Sequence, residues 1–124
     1  MDDLDVVNAL AQTIYDKKGF NIMAMDARGI STLTDYFIFA EGNVNKHVQG
    51  ISRAVEETAR KLGNKPIHIE GDNVGDWIVI DCWQIMVHLF APGVRESYQL
   101  ESLWGDGKII DLDIKTIVEE GAGL

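Results

Sequence analysis

Trp77-Ile78-Val79-Ile80-Asp81 and Ile85-Met86-Val87-His88-Leu89-Phe90 are two runs of β-branched, aromatic and apolar residues. The chain between them, Cys82-Trp83-Gln84, is only a few residues long. Such a short interruption between two strand-like runs favours a β-hairpin. We therefore expect the fold to be organised around this hairpin.

The side-chain alternation predicts the register of the hairpin. With Cys82 and Trp83 as the loop residues, Trp77 lies opposite His88. A three-residue loop would shift the pairing by one and place His88 among aliphatic side chains, so the two-residue loop is preferred. One face is then wholly aliphatic: Ile78, Ile80, Ile85, Val87 and Leu89. The other, called the mixed face below, carries Trp77, Val79, Asp81, Gln84, Met86, His88 and Phe90.

The composition of the mixed face leaves two interpretations open. The face is too apolar for open solvent and too polar for a second core. A patch of Trp, Met and Phe bounded by acid is typical of a surface that docks a partner. Equally, a C-terminal segment of the same chain would cover it. The hairpin alone does not decide between them.

Size and composition predict one cytoplasmic globular domain. The chain has 124 residues, of which 46% are hydrophobic and 25% charged, enough for one real core. No apolar run reaches the length that spans a bilayer. The acidic start, Met1 to Asp5, lacks the basic region of a signal peptide. The single Cys82 cannot form an internal disulfide, which agrees with a reducing compartment.

The net charge of −9 bears on possible partners. Recognition of a nucleic-acid backbone draws its affinity from basic groups, so no direct specific nucleic-acid binding is expected. An acidic protein is instead steered towards basic protein surfaces. The alternative is that the acidity only keeps the protein soluble.

Residue patterns predict a mixed α/β (α+β) fold. Helices are expected over residues 3–18, 44–62 and after Pro92, and strands over 22–26, 35–40, 67–70 and the hairpin. The continuous apolar run 35–40 predicts a central strand, and the strand, helix and strand of 35–70 predict a parallel right-handed crossover. Together they indicate one mixed sheet of about five strands with helices packed on it. The segment 108–124 is predicted only as a short strand or helix.

Helix ends are marked by residues with capping preferences. Asp2 or Asp3 is expected to cap the first helix, and Gly19 to take the left-handed position after it. Asn43 or Asn45 is expected to cap the long second helix.

A search for catalytic residues favours a protein that is not an enzyme and needs no cofactor. His68-Ile69-Glu70 resembles part of a zinc deaminase motif, but the spaced cysteines that follow in that motif are absent. The loop from Gly71 to Gly75 has no lysine and leads into a strand, unlike a phosphate loop. Carboxylates of Asp35, Asp76 and Asp81 would hold a divalent metal if they lined one end of the sheet. Carboxylates at strand ends are more often turn and cap residues.

A third group of candidate residues follows the hairpin. Arg95, Tyr98, Glu101 and Trp104 are spaced by three and share one face of a helix. Tyr, Trp and Arg dominate the energetics of protein interfaces. Alternatively, Leu103 and Trp104 fix this helix against the sheet.

Several segments resemble the ribosomal silencing factor family, also called the iojap family. They run in the family's order over roughly residues 4 to 105. The segments are Thr34-Asp35-Tyr36-Phe37-Ile38, His47-Val48, Ile69-Glu70-Gly71, Asp76-Trp77-Ile78-Val79-Ile80-Asp81, Val87-His88-Leu89-Phe90, Arg95 and Tyr98-Gln99-Leu100-Glu101-Ser102-Leu103-Trp104. One departure lies in the hairpin turn, where the family usually has Gly-Asp and this chain has Trp83-Gln84.

The resemblance implies a fold and a function. The fold is related to the nucleotidyltransferase core without its catalytic apparatus, with a family domain over 1–107 and a tail over 108–124. Family members bind the large ribosomal subunit through its basic ribosomal protein fourteen, block joining of the small subunit and lower translation when nutrients are short. The implied partner contacts are Trp77, Asp81, Cys82, His88, Tyr98, Arg95 and Glu101.

Alternatives from other classes remain open. One is a factor for assembly of the large subunit. The other is a metal-dependent nucleotidyltransferase-like enzyme. In either of the ribosomal roles we expect a monomer or a weak homodimer.

Overall fold

The computed structural model of the protein describes residues 1–98 and 107–116. The elements in chain order are α1 (Asp3–Asp16), β1 (Phe20–Asp26), β2 (Tyr36–Glu41), α2 (Asn45–Lys61), β3 (His68–Glu70), β4 (Trp77–Cys82), β5 (Ile85–Phe90), α3 (Val94–Tyr98) and β6 (Lys108–Ile110). Within these ranges the strands form one six-stranded sheet in the order β3-β4-β5-β2-β1-β6. The mixed α/β class is confirmed. The expected count of about five strands is one too low because β6 pairs with β1.

The hairpin is present, but its predicted register is wrong. Trp77 lies opposite Phe90 and Cys82 lies opposite Ile85, so the two loop residues are Trp83 and Gln84. Each β4 residue therefore pairs with the β5 residue two positions beyond the predicted one. The pairing also includes Cys82, which is buried. A displacement of two keeps the side-chain alternation. The other strand residues therefore lie on the predicted faces, but Cys82 joins the aliphatic face and Gln84 lies in the turn.

β2 occupies the central position that its apolar run predicts. All six of its residues are buried, and it pairs antiparallel with β1 and parallel with β5. The expected crossover from β2 through α2 to β3 is parallel, since β3 and β5 both run antiparallel to β4. However, β3 lies at the sheet edge, and β5 and β4 separate it from β2.

Helices α1 and α2 cover the aliphatic face of the sheet. Asp2 caps α1 as expected: the Asp5 amide donates to Asp2 Oδ1 at 2.9 Å, one half of a capping box. The expected Asn43 or Asn45 cap of α2 is wrong, because the N-cap is Val44 and no side chain bonds there. The core between helices and sheet contains Val7, Leu10, Ile14, Ile51, Val55, Ile78, Ile80, Val87 and Leu89.

Gly19, which follows the end of α1, does not have the role that the sequence predicts for it. Lys18, with φ 71°, takes the left-handed position. Gly19 is needed for close approach instead: a Cβ there would overlap the Ile14 side chain and lie 3.3 Å from Ile51 Cδ1. The chain can therefore turn from α1 into β1 directly beneath α2.

Gly19→Ala should destabilise the protein by about 1–3 kcal/mol, because an added methyl group has no space in this packed corner. The control is Gly50→Ala inside α2, where, of the described residues, a Cβ would meet only the tip of Arg53 at 3.9 Å. Urea unfolding of both variants measures the difference. Equal stabilities would contradict the close approach at Gly19.

Candidate partner-binding surface

The mixed face continues from the hairpin across the centre of the sheet. Phe37 and Phe39 of β2 stack with ring centroids 5.7 Å apart, and Phe39 stacks on His88 at 5.5 Å. Trp77 stacks on Phe90 at 5.8 Å. The three phenylalanine rings are fully buried. The centre of the mixed face is therefore a second, aromatic core, and the docking interpretation can hold for only part of this face.

His88 supports Trp77 from within this aromatic core. Trp77 Nε1–H donates to His88 Nδ1 at 3.1 Å, so the neutral ring carries its proton on Nε2. Burial lowers the pKa of His88 to about 4, and the ring is neutral at physiological pH. Expected as a contact residue, His88 is only 6% exposed. Its observed role is to orient the indole of Trp77.

The depressed pKa of His88 makes stability depend on pH. The unfolded chain takes up a proton near pH 6.5 whereas the folded chain does so only near pH 4. Stability contributed by neutral His88 is therefore present above pH 6.5 and is lost as the pH falls towards 4. At about 1.4 kcal/mol per pKa unit, we expect a loss of about 3 kcal/mol.

Urea unfolding at pH 7 and pH 4.5 measures this loss, and His88→Gln should reduce it. Parallel pH profiles for the wild type and His88→Gln would show that burial of His88 does not shift its pKa.

Arg95 is a buried residue that links three secondary-structure elements. Its side chain is 9% exposed and lies 3.2 Å from Glu41 Oε2, and its Nη1 also donates to the Asn21 carbonyl oxygen at 2.6 Å. The Asn21 amide donates to the same Glu41 oxygen at 3.1 Å. The guanidinium lies 5.9 Å from the Phe39 ring centre. Arg95 thus fixes α3 to β1 and β2, and the expectation that its side chain contacts a partner is not supported by its burial.

Arg95→Met should cost about 3–5 kcal/mol of stability, because it removes the cation from a buried carboxylate. The double variant Arg95→Met/Glu41→Met, which removes both charges, should be more stable than Arg95→Met alone. Thermal unfolding of the wild type, Arg95→Met, Glu41→Met and the double variant tests this. A double variant that loses the sum of both single effects would contradict a coupled buried pair.

Cys82 also lies away from the predicted contact surface. It is the last residue of β4 and is fully buried on the aliphatic face. Burial raises the pKa of its thiol to about 12. The period-two alternation of Ile78, Ile80 and Cys82 was a usable signal for this position. Both turn residues, Trp83 and Gln84, are exposed. Trp83 is 59% exposed and has a φ of 69°.

One part of the mixed face remains accessible, on the side of β3 and β4. Trp77, Val79 and Met86 are half-buried there. The pairing places Asp81 beside Met86 and Glu70 beside Val79. We call these five residues the β4 patch: an apolar surface bounded by two carboxylates. Of the predicted contacts it contains Trp77 and Asp81. The sequence analysis did not single out the other three members of the patch, Val79, Met86 and Glu70.

The remaining predicted contacts lie on or beyond α3. Tyr98 is the last residue of α3, and its side chain lies outside the described part of the structure. Glu101, Leu103 and Trp104 also fall outside the described residues.

The carboxylates proposed for a metal site are separated. Asp76 precedes β4 and Asp81 lies near its other end, about 17 Å away at the usual rise per strand residue. The alternative in which Asp35, Asp76 and Asp81 all line one end of the sheet is therefore not supported. No set of three or more His, Cys, Asp or Glu residues within 1–98 and 107–116 is placed to hold a metal ion. No helix in these ranges is long and apolar enough to cross a membrane.

The chain matches a family model described as "Ribosomal silencing factor during starvation" over residues 1–122. It belongs to the ribosomal silencing factor family. The ribosomal silencing factor RsfS of Bacillus subtilis is 35% identical over 91% of this chain and 96% of its own length. A crystal structure of a Chromobacterium violaceum protein matches with a TM-score of 0.82 and 25% identity, covering 95% of this chain and 98% of that one.

A more distant relative is the mouse protein named "Mitochondrial assembly of ribosomal large subunit protein 1". It is 28% identical over 70% of this chain and 41% of its own length. The resemblance stated from the sequence is thus confirmed for the family and the mixed α/β fold. The relation to the nucleotidyltransferase core stays a prediction.

Proposed function

We propose that this protein binds the large ribosomal subunit through ribosomal protein fourteen and blocks joining of the small subunit, which lowers translation in starvation or stationary phase. Membership of the ribosomal silencing factor family supports a ribosomal role. The single observation that supports docking of this protein on its partner is the β4 patch. It offers half-buried apolar side chains next to Asp81 and Glu70, which complement a basic protein surface.

The β4 patch has the anatomy of a small binding hot spot. Trp77 supplies a large apolar area, and interfaces draw much of their energy from such residues. Val79 and Met86 extend the apolar area from Trp77 towards the hairpin turn. Further contact by Tyr98 and Glu101 from α3 and beyond belongs to the proposal as well.

The support beneath Trp77 is part of the proposed mechanism. The hydrogen bond to His88 and the stacking on Phe90 hold the indole in place before a partner arrives. A side chain that is already ordered loses less conformational freedom on binding. Buried His88 therefore contributes to affinity without touching the partner.

Steric exclusion requires no chemistry from the chain. A bound domain that occupies the surface needed by the small subunit prevents joining by its volume alone. The proposal therefore assigns no catalytic residue, metal or cofactor to the protein.

Met86→Lys should weaken binding to purified large subunits by at least tenfold, because it places a cation in the patch that faces a basic partner. The matched control is Ile109→Lys, at a 72% exposed position next to Met25 on the same sheet face but at the β6 edge. Co-sedimentation measures binding, and the amount of joined ribosome measures function. Met86→Lys that binds and blocks joining like the wild type would refute docking through the β4 patch.

A role in large-subunit assembly is a second candidate, favoured by the printed name of the mouse relative. Both roles would use the same surface. Mature, purified subunits separate them: a silencing factor reduces joining in a reaction where no assembly takes place. An assembly factor would bind immature large subunits and leave the joining of mature subunits unchanged.

A further inference from the structure

A groove of about 410 Å³ lies where the C-terminal end of α1 meets the outer side of α2. It is on the opposite side of the sheet from the β4 patch, since α1 and α2 cover the aliphatic face. The residues that line it are Lys17, His47, Gly50, Ile51, Arg53, Ala54 and Glu57. Its size is within the range of small-ligand sites in proteins.

One of the residues that line the groove is a glycine in the interior of a helix. Gly50 lies near the middle of α2, where glycine is unfavourable relative to alanine. Among the described residues, only the guanidinium tip of Arg53 comes within 4 Å of a Cβ placed there, at 3.9 Å. Packing within the described chain therefore does not demand a glycine. Its effect is to leave open the space beside Arg53.

Cations without acidic partners border this space. Lys17 and Arg53 line the groove, and Lys46 lies one helical turn before Gly50. No acid in the described residues forms an ion pair with any of the three. By contrast, ion pairs are formed by Arg28, Arg60, Lys61 and Arg95. The one acid in the groove, Glu57, lies 3.8 Å from Lys61.

His47 fixes the two walls relative to each other. One ring nitrogen bonds to the Lys17 carbonyl oxygen at 2.8 Å. The other, Nδ1, accepts from the Asn43 amide at 2.9 Å. This pair of bonds ties the end of α1 to the start of α2. The backbone that carries Lys17 is therefore held beside Gly50.

We propose that this groove binds a phosphate of single-stranded RNA, which under the proposed function is ribosomal RNA of the large subunit. A guanidinium and a lysine that line the same groove suit a phosphate, because Arg binds two oxygens in a fork and Lys adds a point charge. The net charge of −9 does not prevent local binding, since charges farther than about 8 Å are largely screened at physiological salt. For this one site the proposal departs from the expectation, drawn from total charge, that nucleic acid is not bound directly.

An NMR titration of the full chain with a short single-stranded RNA tests the proposal. We expect the amide signals of His47, Gly50 and Arg53 to shift. Lys17→Gln/Arg53→Gln should weaken this binding at least tenfold, whereas the charge-matched control Lys65→Gln/Lys108→Gln should bind like the wild type. Absence of shifts in the groove, or equal weakening by both double variants, would overturn the proposal.

Gly50→Ala distinguishes a role of Gly50 in RNA binding from a purely structural role. We expect the melting temperature of the free protein to rise, because alanine favours the helix, while RNA binding weakens severalfold. Unchanged RNA binding in this variant would contradict a site at Gly50. Titration with inorganic phosphate distinguishes the source: binding as tight as that of RNA would overturn RNA as the ligand in favour of a free anion.

Co-sedimentation separates this proposal from the proposed function. If the wild type binds RNA in the groove but does not sediment with large subunits, the proposed function fails and the RNA site stands. If the wild type sediments with large subunits and Lys17→Gln/Arg53→Gln does so equally well, the RNA contact on the ribosome is refuted and the proposed function stands.

Discussion

Burial of β2 on both of its faces is the constraint on which the rest of the structure depends. All six residues from Tyr36 to Glu41 are buried, so each face of the sheet needs a cover. On one face α1 and α2 supply it with aliphatic side chains. On the other, stacked rings from β2, β4 and β5 fill the centre. The Arg95–Glu41 pair fixes α3 at the edge of this aromatic layer.

This two-sided burial limits where a partner can dock. An aromatic layer that is already packed has little apolar area left to bury against another protein. The accessible apolar area is displaced towards β3 and β4, where Trp77, Val79 and Met86 are half-buried. Buried polar groups then act as supports: His88 orients Trp77, and Arg95 anchors α3. The acidic groups next to the patch give it the sign of charge that suits a basic partner.

Features with a local cause were predictable from the sequence. Period-two alternation assigned each hairpin residue to its correct face, and the apolar run of β2 placed it at the centre. The register failed because a two-position displacement satisfies the same alternation equally well. It was decided by the extra pair between Cys82 and Ile85. The close approach at Gly19 was also not predictable from local sequence, because its neighbour Ile51 is distant in the chain.

The candidate site was less predictable than the fold because it depends on long-range packing. Arg95 has a residue type common at interfaces, but Glu41 and Asn21 bind it from other strands. Asp76 and Asp81 are close in sequence, yet an extended strand separates them. The basic groove combines Lys17 of the α1 end with Arg53 of α2, and no local pattern unites them. The family resemblance supplied Trp77 and Asp81, while the structure added Met86, Val79 and Glu70 to the same patch.

Amide hydrogen exchange of the protein, free and bound to the large ribosomal subunit, is the most direct measurement of the central claim. Docking through the β4 patch predicts that binding slows exchange in β3 and β4, with the largest change around Val79. The exposed edge at β6 should be unaffected. Slowing confined to β6 and its neighbour β1, with β3 and β4 unchanged, would contradict the account.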